Sequence, residues 1–281
     1  MRKLPVNAAF ILLLLSISGI LYWTCHSPYN DPQENVEQQP LAEVEPDSIP
    51  LPPPMVLSPF ECWLKDSITK DFLMGKVNRH THPMFAKVTE EHTERKIYLL
   101  KPVYEAYIKM YEAALADGVR LVITSGHRTF VEQVCEWELR WNNPLTDEPF
   151  RNDTEKARFL LQYRSMPGTS RHHWGTDIDL NSFRLSYFET NEGRKLYEWL
   201  HANAHRFGFF QPYTAQDENR PTGYCEEKWH WSYQPIAQEM LTHYLRLIEK
   251  EDIKGFKGDK AAQHLNIITD WVCGINGMKN S

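Results

Sequence analysis

Three consecutive prolines, residues 52–54, close a segment that divides the chain and limits where a folded domain can begin. Residues 26–58 are rich in proline, glutamine, glutamate and aspartate, and they show no helical or strand period. Such a composition favours an extended, semi-rigid spacer. We therefore predict a linker over residues 26–58 and one globular domain over residues 59–281.

The first 25 residues resemble an export signal. Arg2 and Lys3 precede an uncharged stretch over residues 4–24. Its length lies between the about 7–15 apolar residues of a secretory signal and the about 20 of a spanning helix. Cys25 follows directly and resembles the lipidated cysteine of bacterial lipoproteins, although large residues precede it. Residues 1–25 are therefore a signal peptide, an uncleaved membrane anchor or a lipoprotein signal.

Each of these alternatives predicts that the domain lies on the extracytoplasmic side of the membrane. We expect an extracytoplasmic protein that is tethered to the membrane through its N-terminus, in the cell envelope. In a Gram-negative organism this compartment is the periplasm. A proline-rich linker would then hold the domain at a distance from the membrane surface.

The composition is that of a globular protein and argues against one that binds nucleic acid. The chain is 42% hydrophobic and 24% charged, which is typical of a globular protein. Its formal net charge is -6, and lysine and arginine form no cluster along the sequence. Binding to nucleic acid needs clustered cations that neutralise phosphates. We therefore expect no nucleic-acid partner.

Four cysteines lie in the predicted domain, at positions 62, 135, 225 and 273. An even number in an exported chain allows one or two disulfides. The alternative is that they are buried thiols that act as small apolar residues. No two cysteines have the CxxC spacing, so we do not expect a zinc site built on cysteine.

The hydrophobic pattern predicts helices alternating with short strands. Apolar residues recur at helical spacing over four segments, which are 103–115, 131–141, 196–207 and 235–248, with a shorter helix near 157–161. Residues 121–124 and 209–210 have the apolar composition of short buried strands. This alternation predicts an α+β domain, a small antiparallel sheet flanked by helices.

Residues 170–179 combine two imidazoles with two carboxylates. Gly175 allows a tight turn between His172 and a strand that carries Asp177 and Asp179. Side chains alternate along a strand, so the two carboxylates face the same way. Imidazole nitrogen and carboxylate oxygen are zinc ligands, and catalytic zinc sites use three of them. Taken alone, the segment is equally well explained as a histidine-rich turn capped by aspartates.

A second segment supplies what the first lacks. Glu227 lies three residues before His230, with Trp229 between them. One imidazole and one carboxylate provide a third ligand and a general base, a division of roles that zinc hydrolases use. The alternative is an aromatic edge strand with one exposed histidine. The two segments together predict a zinc site with a base beside it.

A third segment, Ser-Gly-His-Arg at residues 125–128, ends a predicted strand, and Gln133 follows five residues after Arg128. A guanidinium group forms paired hydrogen bonds with carboxylates and can stabilise a developing oxyanion. An arginine in a turn is otherwise usually solvated. We therefore treat Arg128 as a candidate for holding the end of a peptide.

Together these segments resemble the VanY-type D-alanyl-D-alanine carboxypeptidases. These belong to a wider group of zinc metallopeptidases that joins lysostaphin-like enzymes, D-Ala-D-Ala metallopeptidases and the hedgehog domain. The resemblance covers about residues 95–235 and keeps the order and spacing of the family's three motifs. The matching residues are Ser125, Gly126, Arg128, Gln133, Ser170, His172, Gly175, Asp179, Glu227, Trp229 and His230.

The resemblance implies a hedgehog/D-Ala-D-Ala-peptidase-like fold and a Zn2+ cofactor. It implies that zinc is held by His172, Asp179 and His230. It also implies that Glu227 and Arg128 are the catalytic residues and that Arg128 orients the substrate. The further substrate contacts that we predict are Gln133, Ser170, Asp177 and Trp229.

The implied activity is removal of the terminal D-alanine from peptidoglycan stem peptides, at a D-Ala-D-Ala or an L,D bond. Two alternatives use the same scaffold. One is an endopeptidase that cuts peptidoglycan cross-links, and the other is a non-catalytic, hedgehog-like zinc-binding module. Glu227 and Arg128 argue against the module, because a binding domain needs neither residue.

The chain departs from the family pattern at two positions. His127 stands where the family usually has tyrosine, and Asp177 stands where it has alanine. Asp177 could contact a substrate amine, hold His172 in place or face water. His173 is an alternative metal donor, although the family spacing selects His172.

Overall fold

The computed structural model describes residues 59–143 and 150–277. The predicted signal or anchor at 1–25 and the predicted linker at 26–58 lie outside the described residues. The chain divides into two units, Met1–Ile49 and Pro50–Ser281, and all described residues belong to the second. In that described part, no helix combines the length and apolar character needed to cross a membrane.

Helices make up most of the regular structure. They are α1 (Pro59–Asp66), α2 (Lys70–Leu73), α3 (Lys101–Ala116), α4 (Phe130–Trp141), α5 (Asp153–Leu160), α6 (Asn191–Asn203) and α7 (Gln234–Leu247). Shorter 3-10 and π turns lie at Arg171–Trp174, Leu185–Glu189, Ala204–Phe207, Lys250–Asp252, Asp259–His264 and Ile267–Val272.

The strands form two small antiparallel sheets. They are β1 (Phe85–Lys87), β2 (Tyr98–Leu100), β3 (Ile123–Ser125), β4 (Asp177–Leu180), β5 (Phe209–Phe210) and β6 (His230–Tyr233). Strands β1 and β2 pair with each other, and the larger sheet has the order β3-β4-β6-β5. This architecture confirms the predicted α+β fold, with a second small sheet in addition.

The register of the larger sheet brings the three sequence motifs together. Asp179 on β4 pairs with Ser125 on β3 and with His230 on β6. Gly175, at the turn before β4, has φ 71°, and a Cβ atom there would lie 2.7 Å from Phe85 Cε1. Glycine alone fits such a turn without strain. The predicted turn is therefore present and sets the position of β4.

Some boundaries differ from the prediction for local reasons. The predicted strand over 121–124 starts at Ile123, because Val122 N donates to the Asn181 side chain at 3.0 Å and leaves the ladder. The helix predicted over 196–207 starts earlier, because the Thr190 hydroxyl caps it by accepting from Gly193 N. It then continues as a 3-10 turn up to Gly208. Side-chain caps of this kind leave no hydrophobic period in the sequence.

Residues 250–277, here called the brace, follow α7 and pack against elements distant in sequence. The indole of Trp137 on α4 donates to Lys257 O at 2.9 Å. The indole of Trp271 donates to Leu161 O, just after α5, at 3.0 Å. The brace therefore ties α4 and the end of α5 together, and these elements form walls of the cavity described below.

The four cysteines form no disulfide within the described part of the chain. Cys62 and Cys135 are exposed on α1 and α4, whereas Cys273 is buried in the brace. Of the two alternatives left open by the sequence, the structure therefore shows thiols, although Cys273 alone of these four is buried.

Candidate metal centre

Three side chains converge where the sheet register aligns the motifs. His172 comes from the 3-10 turn before β4, Asp179 from β4 and His230 from the start of β6. One ligand atom from each lies within 4.8 Å of the others, and all three residues are buried. Among the residues the structure describes, this is the group of three found with metal-binding potential.

Each histidine has one ring nitrogen held by the protein. His172 Nδ1 donates to Gly126 O at 2.9 Å, and His230 Nε2 donates to Asp177 Oδ2 at 2.8 Å. The other nitrogens, His172 Nε2 and His230 Nδ1, lie 3.2 Å and 3.3 Å from the carboxylate of Asp179. Holding one ring nitrogen in this way fixes the tautomer and orients the free nitrogen toward a metal.

Asp179 completes a set that fits a metal ion. Its Oδ1 atom is buried and accepts no hydrogen bond within the described part of the chain. Burial alone would raise the pKa of Asp179, but His172 and His230 hold it below its ordinary value. Two imidazole nitrogens and one carboxylate oxygen form the donor set of a catalytic zinc site with an open position. The unsatisfied oxygen is the observation that favours a metal over a simple ion pair.

Beneath His230 lies a buried ionic layer, here called the floor, made of Arg171, Thr176, Asp177 and Ser232. Arg171 Nε donates to Asp177 Oδ2 at 3.0 Å, and Arg171 Nη2 donates to Ser232 Oγ at 2.6 Å. The hydroxyls of Thr176 and Ser232 donate to Asp177 Oδ1. The floor therefore surrounds Asp177 with donors on both oxygens.

The floor corrects one of the predictions about substrate contacts. The Asp177 side chain is fully buried, holds His230 rather than His172, and does not line the cavity where a substrate would bind. Burial alone would raise the pKa of Asp177, but Arg171 and His230 keep it below its ordinary value. Asp177 thus stays ionised and acts through His230, as carboxylates behind metal-bound histidines do.

Glu227 lies beside the metal-binding group. Its Oε2 atom is 3.2 Å from His230 Nδ1, and its side chain is 14% exposed. Its backbone N donates to Tyr213 O at 2.9 Å, which fixes the segment before β6. The carboxylate therefore reaches the group from the cavity side and can contact a molecule bound there.

Arg128 is held by three side chains at the end of β3. Its Nη1 atom donates to Gln133 Oε1 at 2.9 Å, and its Nη2 atom donates to Ser125 Oγ at 3.2 Å. Glu136 Oε2 lies 3.5 Å from Nη1. The guanidinium group is therefore fixed in place and only partly exposed, which lowers the entropic cost of binding an anion.

Gln133 is the second correction. It is fully buried, and its amide nitrogen donates to Ser165 O at 2.7 Å while its oxygen accepts from Arg128. Gln133 was predicted to contact substrate. In the structure it positions the guanidinium that faces the cavity.

The metal-binding group opens into a cavity of about 200 Å³. Residues of all three sequence motifs line it: Ser125, Arg128, Ser170, His172, Asp179, Glu227, Trp229 and His230. The predicted contacts Ser170 and Trp229 are therefore in a position to meet a ligand. Trp229 stands edge to face with Phe183, with 6.3 Å between ring centroids.

The family model described as "VanY: D-alanyl-D-alanine carboxypeptidase" matches residues 96–236, which is half of the chain. This chain belongs to the VanY family. The match includes all three motifs and both strands that carry metal-binding side chains.

Two curated relatives agree with this family. A D-alanyl-D-alanine carboxypeptidase of Enterococcus faecalis is 30% identical over 149 residues, which cover 50% of this chain and 50% of that protein. The putative carboxypeptidase YodJ of Bacillus subtilis is 30% identical over 142 residues, which cover 50% of this chain and 47% of that protein. The chain therefore spans about half the length of the curated relatives it matches.

A solved structure of VanYB in complex with D-alanine-D-alanine is also similar. It has a TM-score of 0.45 and 23% sequence identity, and the alignment covers 62% of this chain and 90% of that one. The LD-carboxypeptidase LdcB has a TM-score of 0.43 and 22% identity, with coverage of 63% and 79%.

The alternative metal donor, His173, faces away from the metal-binding group. Its Nδ1 donates to Arg128 O at 2.7 Å, and its Nε2 accepts from Gly168 N at 3.0 Å. Burial lowers the pKa of His173 to about 3. His173 is therefore a neutral imidazole that joins two loops, and it is absent from the metal-binding group.

The other departure from the family, His127, is also buried and neutral. Its ring stands edge to face with Phe85 at 4.5 Å between centroids, and burial lowers its pKa well below the ordinary value. It occupies an aromatic position next to Gly126 and Arg128. His127 does not line the cavity.

Several cavity residues escaped the sequence reasoning. Glu136 and Arg140 lie three and seven residues after Gln133 on α4, so helical spacing from Gln133 would have found them. Tyr213 and Tyr224 come from the irregular segment before β6. No period marks such residues, and only the folded chain brings them to the cavity.

Proposed function

We propose that this chain is a zinc-dependent carboxypeptidase that removes the terminal D-alanine of peptidoglycan stem peptides. The observation that carries the proposal is the three-residue donor set of His172, Asp179 and His230, which shares one cavity with Glu227 and Arg128. Membership of a family described as D-alanyl-D-alanine carboxypeptidases supports the substrate class.

His172, Asp179 and His230 would hold the zinc ion through Nε2, a carboxylate oxygen and Nδ1. A bound zinc ion supplies a Lewis acid for the scissile carbonyl and lowers the pKa of a water molecule. Asp177 and Gly126 O orient the two imidazoles by accepting from their other ring nitrogens. The protein thereby fixes the donors before any ligand arrives.

Glu227 performs the proton transfers. Its carboxylate, 3.2 Å from His230 Nδ1, removes a proton from the attacking water and then delivers it to the nitrogen of the departing D-alanine. The burial of its surroundings strengthens these electrostatic interactions, because few water molecules screen them. No covalent intermediate is required.

Arg128 provides the preference for a chain end. Its guanidinium group pairs with the terminal carboxylate, and Ser125 and Gln133 hold it in the orientation for that contact. This preformed cation favours a carboxypeptidase over a cross-link endopeptidase, because a cross-link interior offers no terminal carboxylate at that point. Glu227 and Arg128 in one cavity likewise favour an enzyme over a hedgehog-like binding module.

Turnover of defined peptides tests this proposal. Stem pentapeptides and tetrapeptides are incubated with the zinc-loaded chain, and released D-alanine is quantified. Cleavage of the pentapeptide alone indicates a D-Ala-D-Ala bond, and cleavage of the tetrapeptide indicates an L,D bond. Glu227→Gln should keep zinc while losing about 10²–10⁴-fold in turnover. A chain that binds zinc and these peptides but releases no D-alanine would support the binding module instead.

We further propose that the domain works outside the cytoplasmic membrane, held by the N-terminal segment. The basic and apolar pattern of residues 1–25 and the proline-rich composition of residues 26–58 support this location. Cell fractionation tests it. The full chain should sediment with membranes, and a chain that lacks residues 1–57 should be soluble and active. Recovery of the full chain in the cytoplasmic fraction would contradict the proposal.

A further inference from the structure

The cavity beside the metal-binding group continues into a second chamber. The first chamber, at about 200 Å³, is smaller than the about 300–1,000 Å³ typical of ligand pockets. The second has a volume of about 340 Å³. The two chambers share six lining residues, which are Arg140, Tyr163, Arg164, Phe183, Glu227 and Trp229. A peptide that fills the first chamber can therefore extend into the second.

Two arginines stand at the junction of the chambers. Arg140 projects from the last turn of α4, and Arg164 lies in the turn that follows α5. Arg164 Nη1 donates to the neighbouring Tyr163 O at 2.8 Å, whereas its Nε atom is buried without a hydrogen-bond partner in the described part of the chain. A buried donor without a partner costs free energy, which a bound acceptor would recover.

Arg140 and Arg164, together with Arg128 and Glu136, form what we call the rim. Glu136 lies nearest to Arg128, and the carboxylate of Glu227 lines both chambers together with Arg140 and Arg164. Burial and the nearby positive charges of Arg164 and Arg128 lower the pKa of Arg140, and Glu136 opposes this effect only in part. Guanidinium groups that lie near one another repel, and an anionic ligand bound between them relieves that repulsion.

We propose that Arg140 and Arg164 bind a second carboxylate of the substrate, distinct from the terminal carboxylate that Arg128 holds. The proposal rests on the carboxypeptidase function stated above. Because Arg128 holds the end of the peptide, any other carboxylate lies upstream of the scissile bond. Arg140 and Arg164 are thus specificity-determining residues that select stem peptides with a free upstream carboxylate.

The planar fork of arginine matches a carboxylate with two parallel hydrogen bonds, which lysine does not provide. Stem peptides can offer such a group at two places. One is the side chain of a diamino dicarboxylic acid in the third position, and the other is the α-carboxylate of a γ-linked glutamate in the second. Amidation removes the charge of either group with little change in shape.

The test compares four synthetic pentapeptides that end in D-Ala-D-Ala. One has both upstream carboxylates free, two have one or the other amidated, and one has both amidated. The zinc-loaded full chain should cleave the free peptide with a kcat/KM about tenfold higher than the peptide whose recognised carboxylate is amidated. The two peptides with a single amidation show which of the two upstream carboxylates the protein binds.

The same ratio is then measured for Arg140→Gln and Arg164→Gln. Each variant should lose most of the preference, and raised salt should weaken the preference of the wild type. Arg158→Gln is the matched control, because Arg158 is an exposed arginine on α5 that does not line either chamber. Each ratio is internal to one protein, so a change in the folded fraction does not alter it. Zinc content is recorded for every variant.

Two outcomes would overturn the inference. One is equal cleavage of all four peptides by the wild type, and the other is an unchanged preference in both arginine variants. If the wild type cleaves none of the peptides, the proposed function fails instead. The inference is then judged by calorimetry. The dissociation constants of the four peptides should depend on the upstream carboxylate for the wild-type chain, and this dependence should be lost for the two arginine variants.

Discussion

The floor and the rim of one cavity handle charge in opposite ways. In the floor, the side chains of Arg171 and Asp177 are 1% and 0% exposed, and they lie within hydrogen-bond distance of each other. In the rim, the side chains of Arg128 and Glu136 are 17% and 45% exposed and lie 3.5 Å apart. The floor compensates its charge within the protein, whereas the rim brings charged side chains to the cavity, where solvent or a ligand can reach them.

This difference determines how strongly a substitution in the floor or in the rim affects the stability of the protein. Electrostatic interactions are strong where water is excluded, and a buried charge that loses its partner is severely destabilising. Exposed pairs are screened by solvent and contribute little. The same chemical change should therefore damage folding and metal binding in the floor but alter only substrate recognition in the rim.

The largest effect is expected at the ligands that the floor supports. His172→Ala and His230→Ala should each abolish zinc retention, and with it activity, because two donors do not hold the ion. Metal analysis of the purified variants measures this. His205→Ala is the control, since His205 is exposed and outside the cavity. Full zinc occupancy in both ligand variants would remove the proposed site.

The two ligand variants also separate metal binding from the floor. His172 donates a hydrogen bond to a backbone carbonyl, whereas His230 donates one to the carboxylate of Asp177. In metal-free protein, His230→Ala should therefore be less stable than His172→Ala by about 1–3 kcal/mol, because a buried carboxylate loses a donor. Urea denaturation of the chelated variants measures the difference. Equal stabilities would mean that the floor does not depend on His230.

Asp177→Asn tests the floor itself. The amide cannot balance the buried Arg171 charge, so we expect a loss of about 3–5 kcal/mol of stability. Zinc affinity should also fall about 10–100-fold, because His230 loses the carboxylate that orients it. Urea denaturation and competition with a zinc chelator measure the two effects. Asp66→Asn, at an exposed position, is the control. Unchanged zinc affinity would show that the floor does not act through His230.

The sequence predicts the metal-binding group far better than the floor or the rim. Asp179 and His230 lie on the paired strands β4 and β6, and His172 lies on the 3-10 turn just before β4, so strand register brings the three side chains together. Periodicity and motif spacing carry this information directly. The role of Asp177 was missed because residue spacing predicts on which side of a strand a side chain lies, but not which other side chains it contacts there.

Half of the rim depends on helical spacing and half on contacts between distant segments. Spacing from Gln133 on α4 leads to Glu136 and Arg140, whereas Arg164 lines the same chambers because the turn after α5 packs near α4, held in part by the brace at residues 250–277. The brace consists of 3-10 and π turns without an amphipathic period. Its effect on the cavity is therefore visible only in the folded chain.

A smaller, pH-dependent effect is expected at His173, which links Arg128 O of the rim to Gly168 N. Its folded pKa of about 3 lies below the ordinary value of 6.5, so the unfolded chain binds the extra proton first. Its contribution to stability is therefore complete above pH 6.5 and is lost as the pH falls from 6.5 toward 3. One such group gives a slope of about 1.4 kcal/mol per pH unit.

His173→Gln should reduce this slope, because glutamine offers a donor and an acceptor but takes up no proton. Urea denaturation of chelated protein between pH 6.5 and pH 4.5 measures the free energy of unfolding. His264→Gln, at an exposed position in the brace, is the control. If the variant and the wild type lose stability at the same rate over this interval, His173 does not carry the effect.

The smallest effect, and the sharpest contrast with Asp177→Asn, is expected for Glu136→Gln in the rim. Both changes convert a carboxylate that faces an arginine into an amide. Gln133 and Ser125 already hold Arg128, and Glu136 lies farther away at 3.5 Å with a side chain that is 45% exposed. Zinc content and stability should therefore stay within about 1 kcal/mol of the wild type.

The sign of the effect on substrate binding is also opposite. Glu136 competes with the terminal carboxylate of the peptide for Arg128, so its neutralisation should lower KM up to about fivefold while kcat stays unchanged. The decrease should shrink at high salt, because screening weakens the competition. Steady-state kinetics on the pentapeptide at two ionic strengths measure both parameters. A higher KM would mean that Glu136 orients Arg128 rather than competing for it. The carboxylate of the rim would then hold its arginine in place, as Asp177 holds Arg171 in the floor.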